Sequence, residues 1–279
     1  MNDKIYLVTG ANSGIGKVTA KTLAADGATV IMICRSRDKG EAARDEIVKE
    51  TRNENVDLMI ADFSELSQIR KLAADVKAKY PRLHTLVNNA GAYNSARMLT
   101  ADGYETTFAV NHLAYFLLTV ELLDLLKSSA PSRIVNVASD AHRAGRIHFE
   151  DLNLMNGYNG WKAYAQSKLA NILFTYELAR RLEGTGVTVN CMHPGGVNTN
   201  FFNNIKGVAG TLVRPFTIFM RTPEKGADTV IWLASSPEVE GVTGKYFVDR
   251  KEKNSNPESY DGEVAARLWE VSEKMVPRL

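Results

Sequence analysis

Only two cysteines occur in the 279 residues, Cys34 and Cys191, far apart in apolar strand-like runs, so no disulfide framework is expected. The five histidines are scattered without zinc-like spacing, and no structural metal is expected either. Charge of one sign is also scarce. Lys and Arg number 34 against 32 Asp and Glu, and a net +2 makes no electrostatic case for a nucleic-acid or anionic-lipid partner. An integral membrane segment is not expected: the aromatic-rich stretch from Phe201 to Met220 is broken by Asn203, Asn204, Lys206, Arg214 and Pro215. Met1-Asn2-Asp3-Lys4 leads straight into an apolar run without a basic leader or cleavage site, which points to a cytoplasmic protein rather than a secreted one. No Pro/Ser-rich linker or internal repeat divides the chain.

What is present suits a packed domain: 44% hydrophobic and 24% charged residues, in a chain long enough to bury roughly 70 to 75% of its unfolded surface. Short β-branched runs alternate with stretches of helical period. Strands are expected at Ile5 to Thr9, Thr29 to Ile33, Val56 to Ile60, Thr85 to Asn88, Arg133 to Ala138, Val187 to Met192 and Lys245 to Val248. Helices are expected from Gly14, over Asp38 to Lys49 and Ser64 to Lys79, around Gly103 to Lys127 and around Trp161 to Leu182. The alternation predicts an α/β fold, a parallel sheet of about seven strands covered on both faces, in a single domain. Residues 1–250 form its body, 200–221 an inserted segment read either as a packed helix pair or as a substrate-side flap, and 251–279 a tail with an amphipathic end at Val264 to Met275.

Straight after the first strand, Gly10, Asn12, Ser13, Gly14, Ile15 and Gly16 form a G-x3-G-x-G turn at the start of a helix. Glycine there lets backbone approach a ligand, and amides at the helix N-terminus suit a pyrophosphate. The second strand ends in Cys34-Arg35-Ser36-Arg37. A carboxylate for ribose hydroxyls is missing there, and Arg35, with Ser36, Arg37 or Lys17 assisting, suits a 2′-phosphate, so NADP(H) is expected over NAD(H). Asp62 and Phe63 follow the third strand, and Asn89, Ala90 and Gly91 the fourth, at the carboxyl edge where open α/β sheets bind ligands. Tyr164 and Lys168 stand at i and i+4, on one helix face, and Ser139 ends the fifth strand. An ammonium beside a phenol favours phenolate, so the Tyr164 pKa is expected to fall, while Ser139 hydrogen-bonds the substrate oxygen. Asn111, inside an apolar helix, needs a reason such as holding a water or a backbone kink.

These motifs, in this order and with Pro194-Gly195, resemble the short-chain dehydrogenase/reductase family over roughly residues 4–250. The stretches around Asn111-His112-Leu113, Ala141 to Ile147 and Ser167 to Phe174 look like its retinol-dehydrogenase branch, from which the sequence departs at Ala114-Tyr115 and at Ala138. The resemblance implies a Rossmann-like fold and a catalytic tetrad of Asn111, Ser139, Tyr164 and Lys168. It also implies hydride transfer between a nicotinamide and an apolar carbonyl or alcohol, with Tyr164 as acid and base and Asn111 positioning a water. Tyr164 and Lys168 then also touch the cofactor, and Pro194, Gly195, Val197 and Thr199 bracket its nicotinamide end. His142 and His193 are read as loop and structural residues. Self-association is implied, with homodimer, homotetramer and monomer left open. Reduction of a carbon–carbon double bond, a dinucleotide-binding regulator without turnover, and peripheral membrane contact through 201–220 or the tail stand as other readings.

Overall fold

The computed structural model describes residues 3–196 and 221–277. Val197, Thr199 and all but the last residue of the expected flap therefore lie outside the described residues. Strands β1 (Ile5–Thr9), β2 (Thr29–Cys34), β3 (Val56–Ile60), β4 (Thr85–Asn88), β5 (Ser132–Val137), β6 (Val187–His193) and β7 (Lys245–Val248) pair in parallel in the order 3-2-1-4-5-6-7. These are the seven runs legible in the sequence. A two-residue strand, β8 (Lys251–Glu252), adds an antiparallel edge beside β7.

The strands read as continuous apolar runs because both sheet faces are covered. Along β1, Leu7 enters one core while Tyr6 and Val8 enter the other; along β2, Ile31 and Ile33 oppose Val30, Met32 and Cys34. The second face carries helices α1 (Gly14–Ala25) and α2 (Arg37–Thr51), through Leu23 and Ile47. The first face carries α3 (Leu66–Lys79), α4 (Thr106–Ser128) and α5 (Gly160–Arg181). By length and composition α4 is apolar enough to cross a membrane, but 67% of its apolar window is buried inside the protein. Its apolarity serves the sheet.

Two helices complete the layers. Helix α6 (Pro223–Ser235), absent from the sequence expectations, sends Val230, Leu233 and Ala234 into the second core. Its signals were present: Thr222 caps it, Pro223 opens it and Glu224 sits in its first turn. Helix α7 (Gly262–Met275) packs on α5, with Trp269 wedged against Phe116 and Phe174 at ring distances of 4.8 and 5.9 Å.

The strand order reverses between β1 and β4, since both flank the same sheet position from which β2 and β5 depart in opposite directions. That reversal opens a crevice at the carboxyl ends of the strands.

Candidate active site

A cavity of about 1060 Å³ occupies this crevice. It brings together Gly10, Asn12, Ser13, Gly14, Ile15, Gly16, Arg35, Asp62, Phe63, Asn89, Ala90, Gly91, Ser139, Tyr164, Lys168, Pro194 and Gly195, nearly every site residue expected from the sequence. Ser36 and Asn111 do not line it.

At one end lies the glycine turn. Gly10 and Gly14 have φ of +67° and +54°, the left-handed region where a side chain is strained. Gly16 is needed for a different reason: a Cβ there would stand 2.3 Å from the Gly10 carbonyl oxygen and 2.5 Å from Asn89 Nδ2. Its missing side chain makes room for the protein itself. Asn89 in turn ties the loop down, Nδ2 donating to the Thr9 carbonyl at 2.8 Å while Thr9 Oγ1 accepts from the amides of Asn89 and Ala90 at 2.8 and 2.9 Å. Ser13, the N-cap of α1, makes no side-chain capping bond, and no acidic residue stands in the first turn. The helix therefore presents uncapped N–H groups and its positive dipole end to the cavity.

Arg35 is exposed at the end of β2 and forms no ion pair among the described residues. Its expected assistants are engaged elsewhere: Lys17 with Glu46 at 2.6 Å, Arg37 with Glu41 at 3.5 Å, and Ser36 as N-cap of α2, accepting from the Lys39 amide. Asp62 turns one carboxylate oxygen to the amide and hydroxyl of Ser64 at 2.9 and 2.8 Å, a local turn at the cavity edge.

At the other end, Ser139 hydrogen-bonds the Tyr164 hydroxyl. Lys168, one turn along α5, sits 5.6 Å from the Tyr164 ring centroid and donates from Nζ to the Val137 carbonyl at 3.0 Å. The expected lowering of the Tyr164 pKa is not what this arrangement produces. Burial pushes the phenol up to about 12, opposed only by the Ser139 bond, and pushes the Lys168 ammonium down to about 7. Both groups are pushed toward their neutral forms because removing water penalises either charge.

Asn111 lies behind the cavity wall, fully buried, in a π-helical turn (Ala109–Leu113) that interrupts α4. Its amide oxygen accepts from the Ala92 amide at 2.7 Å, and Nδ2 donates to the Ala92 carbonyl at 3.0 Å and to Ser167 Oγ at 2.9 Å. The side chain thus stitches the segment after β4 to α5, at the point where the π-helical turn interrupts α4. Tyr115, noted in the sequence only as a departure, is fully buried: its hydroxyl donates to the Ala90 carbonyl at 2.7 Å and its ring centroid lies 5.8 Å from Lys168 Nζ. Periodicity could not place it there, because the contact joins α4 to α5. Around Tyr164 the cavity is apolar and aromatic, with Tyr93 at 6.0 Å and Trp161 at 6.4 Å between ring centroids, and Met98 and Leu99 at the rim.

Chemically, one end offers amides, a dipole and a guanidinium to an anionic ligand, and the other a phenol, a hydroxyl and an amine to a reacting oxygen. Comparison with known proteins agrees in kind. A family profile described as short chain dehydrogenase matches residues 4–207. Human retinol dehydrogenase 14 is 48% identical over 99% of this chain and 87% of its own. Among solved structures, an uncharacterized protein from Mycobacterium paratuberculosis superposes with a TM-score of 0.78 at 33% identity, covering 98% of this chain and 93% of that one. A structure from Escherichia coli CFT073, assigned as a short chain dehydrogenase and complexed with NADPH, gives a TM-score of 0.72 at 29% identity, covering 90% and 98%.

Proposed function

The chain belongs to the short chain dehydrogenase family, and from that premise we propose that it is an NADP(H)-dependent oxidoreductase interconverting an apolar aldehyde or ketone and its alcohol, with Tyr164 as acid and base. The observation that carries this reading is the pairing of Ser139 with Tyr164, one helical turn from Lys168, in the same cavity as the glycine turn and Arg35.

The residues present fit a dinucleotide. The uncapped start of α1, reached over the backbone of Gly10 and Gly14, would hold the pyrophosphate, and Arg35 a 2′-phosphate. When bound, the nicotinamide supplies the hydride. Ser139 and Tyr164 bring their hydroxyls together at the cavity, where a substrate oxygen would meet both. In reduction Tyr164 gives that oxygen its proton, and a phenol held near 12 is reliably protonated for the purpose. In oxidation the same oxygen takes the proton back as the phenolate, a form that burial makes scarce in the ligand-free protein. Lys168, when protonated, stands close enough to stabilise negative charge as it develops on the phenol, and Asn111 and Tyr115 hold the segment after β4, at Ala92 and Ala90, against the same cavity.

The aromatic and apolar surroundings of Tyr164 favour an apolar substrate. The retinol dehydrogenases among the relatives, named for an apolar alcohol, support the same class. Preference for NADP(H) rests on Arg35 and on the NADPH complex of the structural neighbour.

The test is carbonyl-dependent oxidation of NADPH and of NADH across apolar aldehydes and ketones, for the wild type and Arg35→Ala. The wild type is expected to turn over faster with NADPH. Loss of one charge-assisted, fork-like phosphate contact should raise the KM for NADPH about 10- to 100-fold and leave the KM for NADH within about twofold. Equal losses with both cofactors would remove Arg35 from phosphate recognition.

A further inference from the structure

Ser139 and Asp140 share one peptide group, and that group is held at both ends by histidine. Its carbonyl, on Ser139, meets His142 Nδ1 at 2.7 Å and also accepts from the His142 amide at 3.1 Å. Its N–H, on Asp140, donates to His193 Nδ1 at 3.1 Å. A carbonyl offers only lone pairs, so His142 carries its proton on Nδ1. An amide offers only a proton, so His193 Nδ1 is bare and its proton is on Nε2. The two imidazoles are opposite tautomers closing on a single peptide plane.

They arrive from different elements. His142 lies in the 3-10 turn Asp140–Ala144, wholly buried, with the Tyr246 ring edge-on at 5.0 Å. His193 ends β6 and lines the cavity. The ladder between β5 and β6 stops just before this point: the Ala138 amide donates to the Met192 carbonyl at 2.8 Å, and the next peptide has no strand partner. The His193 ring takes the place of that missing acceptor. Burial keeps both rings neutral, His142 below the ordinary histidine value and His193 down to about 4, so neither hydrogen bond is lost near neutrality.

We propose that His142 and His193 are positioning residues that clamp the Ser139–Asp140 peptide and so fix the direction of the Ser139 hydroxyl toward Tyr164. The strand fixes the Ser139 backbone on its N-terminal side, and the clamp fixes its ψ, at 153°, on the other. With both flanking planes set, the Cα–Cβ bond has one direction, and the Ala141 amide at 3.3 Å from Oγ restrains the rotamer. A hydroxyl misplaced by an ångström loses its alignment with the reacting oxygen, an error worth up to about a hundredfold in rate. The proposal rests on the oxidoreductase reading for its effect on rate, but not for the clamp itself.

The experiment has two arms. In protein labelled with 15N-histidine, long-range proton–nitrogen correlation at neutral pH should show His142 as the Nδ1–H tautomer and His193 as the Nε2–H tautomer, assigned by single His→Asn variants. In the kinetic arm, His193→Leu removes the acceptor, whereas the amide oxygen of His193→Asn stands near the Nδ1 position and restores it. The expected result is a kcat about tenfold or more lower for His193→Leu, a kcat within about threefold of wild type for His193→Asn, and a KM for NADPH unchanged in both. Wild-type kcat in His193→Leu, equal losses in both variants, or a rise in KM alone would overturn the positioning role. Tyr164→Phe runs alongside: if it keeps full turnover Tyr164 leaves the mechanism, if the wild type turns over no carbonyl the oxidoreductase reading fails, and in either case the tautomers still decide the clamp, with either ring in the opposite form refuting it.

Discussion

Tyr164→Phe is expected to lower carbonyl reduction by roughly 10²- to 10⁴-fold, the range that a positioned general acid supplies. The substitution removes one oxygen atom and leaves the ring, its edge contact with Tyr93 and its place beside Trp161 intact. Neither the glycine turn nor Arg35 depends on that hydroxyl, so NADPH affinity, followed by fluorescence titration, should stay within about threefold of wild type. The separation is the informative part. A fall in kcat with cofactor binding preserved places the lost oxygen at the reacting centre, whereas parallel losses in both would mean that the hydroxyl holds the cavity together through Ser139.

The second large effect concerns stability, and its sign is counterintuitive for a site residue. Lys168 is 3% exposed and its ammonium is held down to about 7 by burial. In the unfolded chain the same amine keeps its proton until near the ordinary lysine value of 10.5. Between these values the unfolded state binds more protons than the folded one, so the Lys168 contribution to stability rises with pH across that window. Below about 7 the fold carries the whole cost of a buried charge, on the order of a few kcal/mol. Lys168→Met, which replaces the amine with an apolar side chain of similar length, should therefore melt several degrees higher than the ligand-free wild type at pH 6 to 7. The difference should shrink steadily toward pH 10. Thermal unfolding of the two proteins across that range checks it, and a variant less stable than wild type at every pH would show that the Val137 hydrogen bond outweighs the buried charge.

What was legible in the sequence follows from how local each signal is. The seven parallel strands were visible because each carries a short apolar run, buried in the central strands and half-buried along the β3 edge, and β8 was not because two exposed residues carry no pattern. Helix α6 could have been read from its Thr222 cap, the proline at its start and its apolar period. The cavity's contents were largely legible because glycine turns and strand ends place residues at one edge of the sheet, and because Tyr164 and Lys168 share a helix face. The protonation states were not. They depend on how much water remains around a pair of side chains, and on Nζ reaching the Val137 carbonyl, both consequences of packing between β5 and α5. Asn111, Tyr115 and His193 show the same boundary: each acts on backbone that is distant in sequence, with Asn111 on Ala92, Tyr115 on Ala90, and His193 on Asp140. Periodicity marked Asn111 as out of place without saying what it holds.

The most direct test of the central claim follows the hydrogen itself. With NADPH deuterated at the transferable position of nicotinamide C4 and an apolar aldehyde as acceptor, the alcohol product should carry one deuterium on its carbinol carbon. Mass spectrometry should find that label at one per turnover with the wild type, and with Tyr164→Phe the amount of alcohol should fall by roughly the same 10²- to 10⁴-fold while each alcohol formed still carries the label. Alcohol formed without deuterium, or aldehyde consumed with no labelled product, would contradict hydride transfer at this site.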